Sequence, residues 1–127
     1  MSLSAEAPWL RFYGDMPEHI DYPRKTLFQC VAQTAQAHPD AAAYEFESGC
    51  VTYAAFLRRI ERAAAAFVSL GIAKGDRVTL CLPNLPQAVD CFYALSRIGA
   101  VANMIHPLSS TDEITFYLNC SQSKAII

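Results

Sequence analysis

The chain has 127 residues, 53% of them apolar and 17% charged, with a net charge of −2. That balance excludes a disordered tail, which lacks the apolar surface needed to fold. It also excludes a basic surface for nucleic acid, which needs clustered positive charge, and the length fits one domain.

Residues 1–25 read as an irregular arm. Pro8, Pro17 and Pro23 forbid a long helix there. The start lacks a basic segment followed by an apolar one, so no signal peptide is expected. Trp9, Leu10, Phe12, Tyr13, Ile20 and Tyr22 are too apolar for a free tail. They are expected to lie against this domain or against further protein.

Thr26 and Gln29 stand three apart, as a capping box requires, and open a helix in which Leu27, Val31 and Ala35 recur at helical spacing. His38-Pro39 ends it, because the residue before proline avoids the helical region. Ala42-Ala43-Tyr44-Glu45-Phe46-Glu47 alternates like a half-exposed strand. Ser48-Gly49 reads as the turn into a partner strand at Cys50-Val51-Thr52.

Thr52 caps a helix over about 53–70, with Phe56, Leu57, Ile60, Ala63, Ala64, Phe67 and Leu70 as its apolar stripe. Arg58, Arg59, Glu61 and Arg62 form its solvated face. Gly71 stops the helix and Gly75-Asp76 turns the chain. Arg77-Val78-Thr79-Leu80-Cys81-Leu82 then forms a strand buried on both faces, as in parallel sheets. Asn84 is the expected N-cap of the next helix, with Pro86 in its first turn and Gly99 closing it. A strand comes next over Val101-Ala102-Asn103-Met104-Ile105. Ser110 and Glu113 form a second capping box, opening a helix to about Asn119. Lys124-Ala125-Ile126-Ile127 begins another strand.

Strands alternating with helices predict an α/β fold. Its form is a partial doubly wound parallel sheet, a β-hairpin followed by βαβαβ with right-handed crossovers. No apolar run is long enough to span a bilayer. The five cysteines are odd in number and contain no CxxC pair. They read as buried, reduced thiols of a cytoplasmic protein, with neither a disulfide framework nor a zinc site.

The chemistry-bearing patterns are sparse. Neither GxGxxG nor GxxxxGK[ST] occurs, and the five glycines read as turn or cap residues. There is no Ser-His-Asp order, nucleophile elbow or metal-ligand spacing. His106 alone among the histidines follows a buried strand at its carboxyl end, where ligand crevices form in open α/β sheets. His106, Pro107 and Ser109 are therefore the candidate crevice residues. Ser110 and Thr111 read as helix-capping residues, and Asp112 and Glu113 as acids favouring the helix N-terminus.

Several segments, in order, resemble the N-terminal region of the adenylate-forming (AMP-binding) superfamily, most of all the acyl-CoA synthetases. Val51-Thr52-Tyr53-Ala54-Ala55-Phe56 is similar to the family's "LTYxEL" motif. Gly75-Asp76-Arg77-Val78 through Pro83-Asn84 is similar to "GDRV…N". Gly99-Ala100-Val101 through His106-Pro107 is similar to "GAVxxxxNP", and Asp112-Glu113-Ile114 continues the likeness. Trp9, Tyr13, Pro17, Ile20, Asp21, Tyr22 and Pro23 resemble the lead-in of long-chain fatty acid–CoA ligases. The sequence departs from the family at Ala55, where Glu is usual, and at His106, where Asn is common.

The resemblance implies that residues 26–127 are a truncated N-terminal α/β subdomain of a carboxylic, most often fatty, acid–CoA ligase. Such an enzyme uses ATP, Mg²⁺ and CoA. The carboxylate attacks the α-phosphate to give an acyl-adenylate and pyrophosphate, and the CoA thiol then displaces AMP. In the family, the residues that grip phosphate and metal lie downstream of Ile127. The resemblance therefore implies no catalytic, cofactor or metal residue here, no tight binding of those cofactors, and the remainder of a synthetase as partner. A non-catalytic alternative is a stand-alone α/β interaction module. It predicts an exposed apolar face and a homodimer or docking partner upon it. An unrelated flavodoxin-like domain would share the strand–helix alternation without the ordered motifs.

Overall fold

The structure, a computed structural model, describes residues 7–127. The first six residues of the arm lie outside it. The arm carries one short 3-10 turn, Pro8–Phe12, with proline in its first turn. Trp9, Phe12 and Tyr22 are 59%, 72% and 81% exposed. Of the two supports expected for these aromatics, this domain is not the one.

The first helix, α1 (Leu27–Ala37), begins at the expected box. The Gln29 N–H donates to Thr26 Oγ1 (3.1 Å), and the Thr26 N–H donates to Gln29 Oε1 (2.7 Å). The hairpin pairs β1 (Ala42–Phe46) with β2 (Gly49–Thr52) antiparallel. Its turn falls one position earlier than expected. Phe46 faces Gly49, so Glu47 and Ser48 make the loop and Glu47 takes the positive φ of 53°. Gly49 is thus a strand residue, not a turn residue.

Helix α2 (Tyr53–Ser69) is capped by Thr52 Oγ1, which accepts the Ala55 N–H at 3.3 Å. Ala55 offers no side chain to complete a box. Phe56, Ile60, Ala64 and Phe67 are buried, but Leu70 is 72% exposed. The helix end explains the miss. Gly71, at φ 82°, reverses the chain, the Gly71 N–H donates to the Val68 carbonyl and the Ile72 N–H to the Phe67 carbonyl. This closure delivers Ile72, not Leu70, to the core beside Phe67.

Strand β3 (Arg77–Leu80) comes next, and Val78, Thr79 and Leu80 have no exposed surface. Helix α3 (Pro86–Ile98) starts at its proline with Leu85 at the N-cap and no side-chain cap. Asn84 is not the cap, because proline at the first helical position sets the boundary one residue later. The helix closes at Gly99, φ 75°, where a Cβ would meet Lys74 Cγ at 3.0 Å. Strand β4 (Val101–Met104), helix α4 (Thr111–Ser121) and strand β5 (Ala125–Ile126) complete the chain.

The sheet order is β4-β3-β5, all parallel. The connection from β3 to β4 runs one way and that from β4 to β5 runs back across β3. Right-handed crossovers therefore put α3 and α4 on opposite faces. On the α3 face, α1, α2 and α3 pack together. Ile60, Leu80 and Leu95 are fully buried there, each contributing roughly 1.5–3 kcal/mol. Edge-to-face contacts Tyr44–Phe56, Phe56–Tyr93 and Phe92–Tyr93, with centroids 5.3–5.5 Å apart, tie the hairpin to the helices.

No cysteine is fully buried: Cys30, Cys50 and Cys120 are exposed, Cys81 and Cys91 half-buried, and all five are free. The apolar runs that hold them present outward as well as inward positions. Among the described residues, no helix is long and apolar enough to cross a membrane.

At the amino end of the sheet, Asp76 Oδ2 accepts from Lys124 Nζ (2.6 Å) and from the Ala73 N–H (2.8 Å). These bonds, Lys124 first, hold its carboxyl below the ordinary value. A depressed folded pKa gives stability that is present above the unfolded value and is lost as pH falls through the folded one. We expect the melting temperature to fall as pH drops below about 4. Asp76→Asn should flatten that part of the profile, measured by circular dichroism melts across pH 2–7.

Candidate functional site

Because α3 and α4 leave for opposite faces, the loops after β3 and β4 diverge. Divergence of adjacent loops opens a crevice at the carboxyl ends of the strands, the place where open α/β sheets bind ligands. A cavity of about 420 Å³ lies there, lined by Pro83 and Asn84 from the first loop and His106, Pro107 and Leu108 from the second. His106 and Pro107 thus meet Asn84 across the gap. Ser109 is not among the lining residues. Its N–H donates to the His106 carbonyl (3.1 Å), and the next residue, Ser110, caps α4.

His106 has a specific local task. Its Nδ1 accepts the Leu108 N–H at 3.1 Å. An asparagine side-chain oxygen makes the same two-residue link in an Asx turn. The imidazole therefore does here what the family's common Asn does, and the departure at this position preserves the loop. With Nδ1 accepting, the proton of the neutral ring sits on Nε2, which is left to donate. The Cys81 thiol approaches the His106 carbonyl at 3.9 Å.

The electrostatics of the crevice are mild. Its lining carries no Lys, Arg or carboxylate. The nearest structured acid downstream, Glu113, is committed to Ser110, whose backbone N–H and then hydroxyl hold its carboxyl below the ordinary value. Among the described residues, no cluster of three His, Cys, Asp or Glu side chains is placed to hold a metal. The residues present therefore do not fit a magnesium triphosphate, which needs cations and carboxylates at hydrogen-bond range.

A second, more apolar cavity of about 470 Å³ lies between β1 and the start of α3, lined among others by Tyr44, Phe46, Val89, Phe92 and Met104. Asn84 belongs to both cavities. Tyr44 also joins a polar cluster that the sequence did not reveal. Arg59 Nη1 donates to the Tyr44 hydroxyl at 3.0 Å, and that hydroxyl bonds the Asp90 carboxylate. Burial pushes the Asp90 carboxyl up, and the Arg59 charge and Tyr44 pull it partly back. Burial, then the Asp90 charge, raises the Tyr44 phenol. Asp90 Oδ1 is buried without a partner. The one available signal was an acid inside the apolar run Ala88-Val89-Asp90-Cys91-Phe92, where a helix interior rarely tolerates an unpaired charge.

The family model for "AMP-binding enzyme" matches residues 31–127. A long-chain-fatty-acid–CoA ligase of Bacillus subtilis (strain 168) is 32% identical over 126 residues, 98% of this chain and 22% of its own length. A vibriobactin-specific 2,3-dihydroxybenzoate-AMP ligase of Vibrio cholerae is 37% identical over 121 residues, 94% of this chain and 22% of its own. The solved N-terminal domain of FACL13 from Mycobacterium tuberculosis superposes with a TM-score of 0.78 at 36% identity, covering 80% of this chain and 26% of that one. The chain thus spans about a fifth of the length of the curated relatives it matches.

The His106 turn gives a direct test. In His106→Ala the Leu108 amide should lose its protection from hydrogen exchange, whereas His106→Asn should keep it, read residue by residue by NMR. Equal exchange in the two variants would show that the imidazole does not hold the loop.

Proposed function

This chain belongs to the AMP-binding enzyme family, and we propose that it serves as the scaffold portion of an ATP-dependent ligase that activates a carboxylic acid as its acyl-adenylate. The observation that carries this reading is the match over residues 31–127 combined with a crevice that offers shape and single hydrogen-bond donors but no cation. In the whole enzyme, ATP, Mg²⁺ and CoA supply the adenylating and thioester-forming chemistry. The residues of this chain position loops at the switch point: Asn84 and His106 present polar atoms, while Pro83 and Pro107 stiffen the walls. The groups that neutralise triphosphate belong to the remainder of the synthetase.

What supports a fatty acid as the substrate is the Bacillus subtilis match, which covers 98% of the chain and so takes in the arm. The Vibrio cholerae relative acts on an aromatic acid by its name, so the acid is tested and not assumed. A second reading, self-association as an interaction module, draws on the exposed Leu108 (86%), Phe116 (64%) and Met104 (53%). Sedimentation at high concentration separates it: a stable dimer favours this second reading, and a monomer removes it.

The purified 127 residues should give no ATP–pyrophosphate exchange above background with palmitate, acetate or 2,3-dihydroxybenzoate. Exchange with any of them would refute the scaffold assignment. Grafted in place of the matching segment of the Bacillus subtilis relative, the chain should sustain palmitate-dependent AMP release. A soluble, folded chimera without that activity would count equally against it.

A further inference from the structure

The two halves of the parallel sheet are held by different forces. Strands β3 and β4 share the apolar core with α1, α2 and α3. Helix α4 has no buried residue, and Phe116 on it is 64% exposed. Strand β5 pairs with β3 through only Val78↔Ala125 and Thr79↔Ile126. Ala125 alone of the last three residues packs against the core; Ile126 and Ile127 are 45% and 41% exposed.

What attaches this end of the chain is polar. Backbone bonds run from the Lys124 N–H to the Arg77 carbonyl (2.7 Å), the Ile127 N–H to the Thr79 carbonyl (2.9 Å) and the Cys81 N–H to the Ile127 carbonyl (2.8 Å). Side chains add Arg77 to Gln122 (2.8 Å) and Lys124 to Asp76 and the Gly71 carbonyl. A chain of hydroxyls crosses the sheet. Ser121 Oγ donates to the Leu118 carbonyl, so it accepts from Ser123 Oγ (2.7 Å). Ser123 in turn accepts from Thr79 Oγ1 (2.7 Å), which accepts from Asn103 Nδ2 (2.9 Å).

We propose that residues 111–127 form a strap, hydrogen-bonded to β3, that opens and closes as a unit while the α1–α2–α3–β3–β4 core stays folded. Sub-global opening of this kind occurs where a segment has exposed hydrogen bonds and few buried apolar contacts. Water replaces the strap's hydrogen bonds on release, so each contributes little net, whereas the core would have to expose apolar surface. The consequence reaches the crevice. Residues 105–110 carry His106, Pro107 and Leu108 of its lining and are fixed at both ends only while the strap is docked.

Native-state hydrogen exchange on the 127-residue chain, under conditions where reclosing outruns chemical exchange, tests this. Amides of α4 and β5 should be less protected than those of α2 and α3. Ile60→Val weakens only the core, so it should accelerate α2 and α3 amides roughly 2- to 10-fold and leave the strap amides unchanged. Ser123→Ala weakens the docked state and should accelerate the strap amides. Equal protection of the two sets, acceleration of the strap by Ile60→Val, or no response of the strap to Ser123→Ala would each overturn the proposal.

Discussion

Val78, Thr79 and Leu80 are consecutive, and none has any exposed surface. Successive strand residues point to opposite faces, so the fold must cover β3 on both sides and along both edges. Strands β4 and β5 take the edges. Ile60, Phe67 and Leu95, from helices on one side, form the apolar cluster with Val78 and Leu80. The centre of that strand holds a hydroxyl, which would cost about 1–3 kcal/mol if buried unpaired. Asn103 and Ser123, one on each side of β3, satisfy it. One buried threonine thus makes both neighbouring segments partners in a single polar chain.

The two ends of the sheet do different work. The amino end is clamped: Asp76 organises the turn after α2 and holds Lys124, while Arg77 holds Gln122. The carboxyl end is open, because reversal of the strand order sends adjacent loops apart. The segment Gly75-Asp76-Arg77-Val78, which carries part of the family resemblance, sits at the clamped end, about as far from the crevice as the strands allow. Its charged residues are bound up in fixing β5, which explains their presence without any contact to substrate.

Much of this was legible locally. Thr26 with Gln29 and Ser110 with Glu113 form the two capping boxes that their spacing predicts, because a cap needs only residues within one turn. Gly71 and Gly99 end their helices at positive φ for the same local reason. The misreadings arise where a neighbour outside the local window decides. Leu70 continues the stripe of α2 in sequence, yet the chain reversal at Gly71 gives its place to Ile72. Gly49 looked like a turn residue, yet the pairing of Phe46 with Gly49 moved the turn to Glu47 and Ser48. The cysteines sit in apolar runs, but a run does not say which of its residues faces out.

The candidate site divides along the same line. His106 was identifiable because it follows a buried strand, and its strand-end position is a sequence property. That Asn84 stands across from it, that its Nδ1 holds the Leu108 amide, and that Tyr44, Arg59 and Asp90 converge from three elements are facts of packing. The sequence alone determined the order of elements, their caps and the parallel character of the sheet, since periodicity and short-range hydrogen bonding act within a few residues. Only the tertiary structure decided which loops face each other and which end of the chain is held by polar bonds. Those depend on strand order and crossover direction, which bring together residues far apart in sequence.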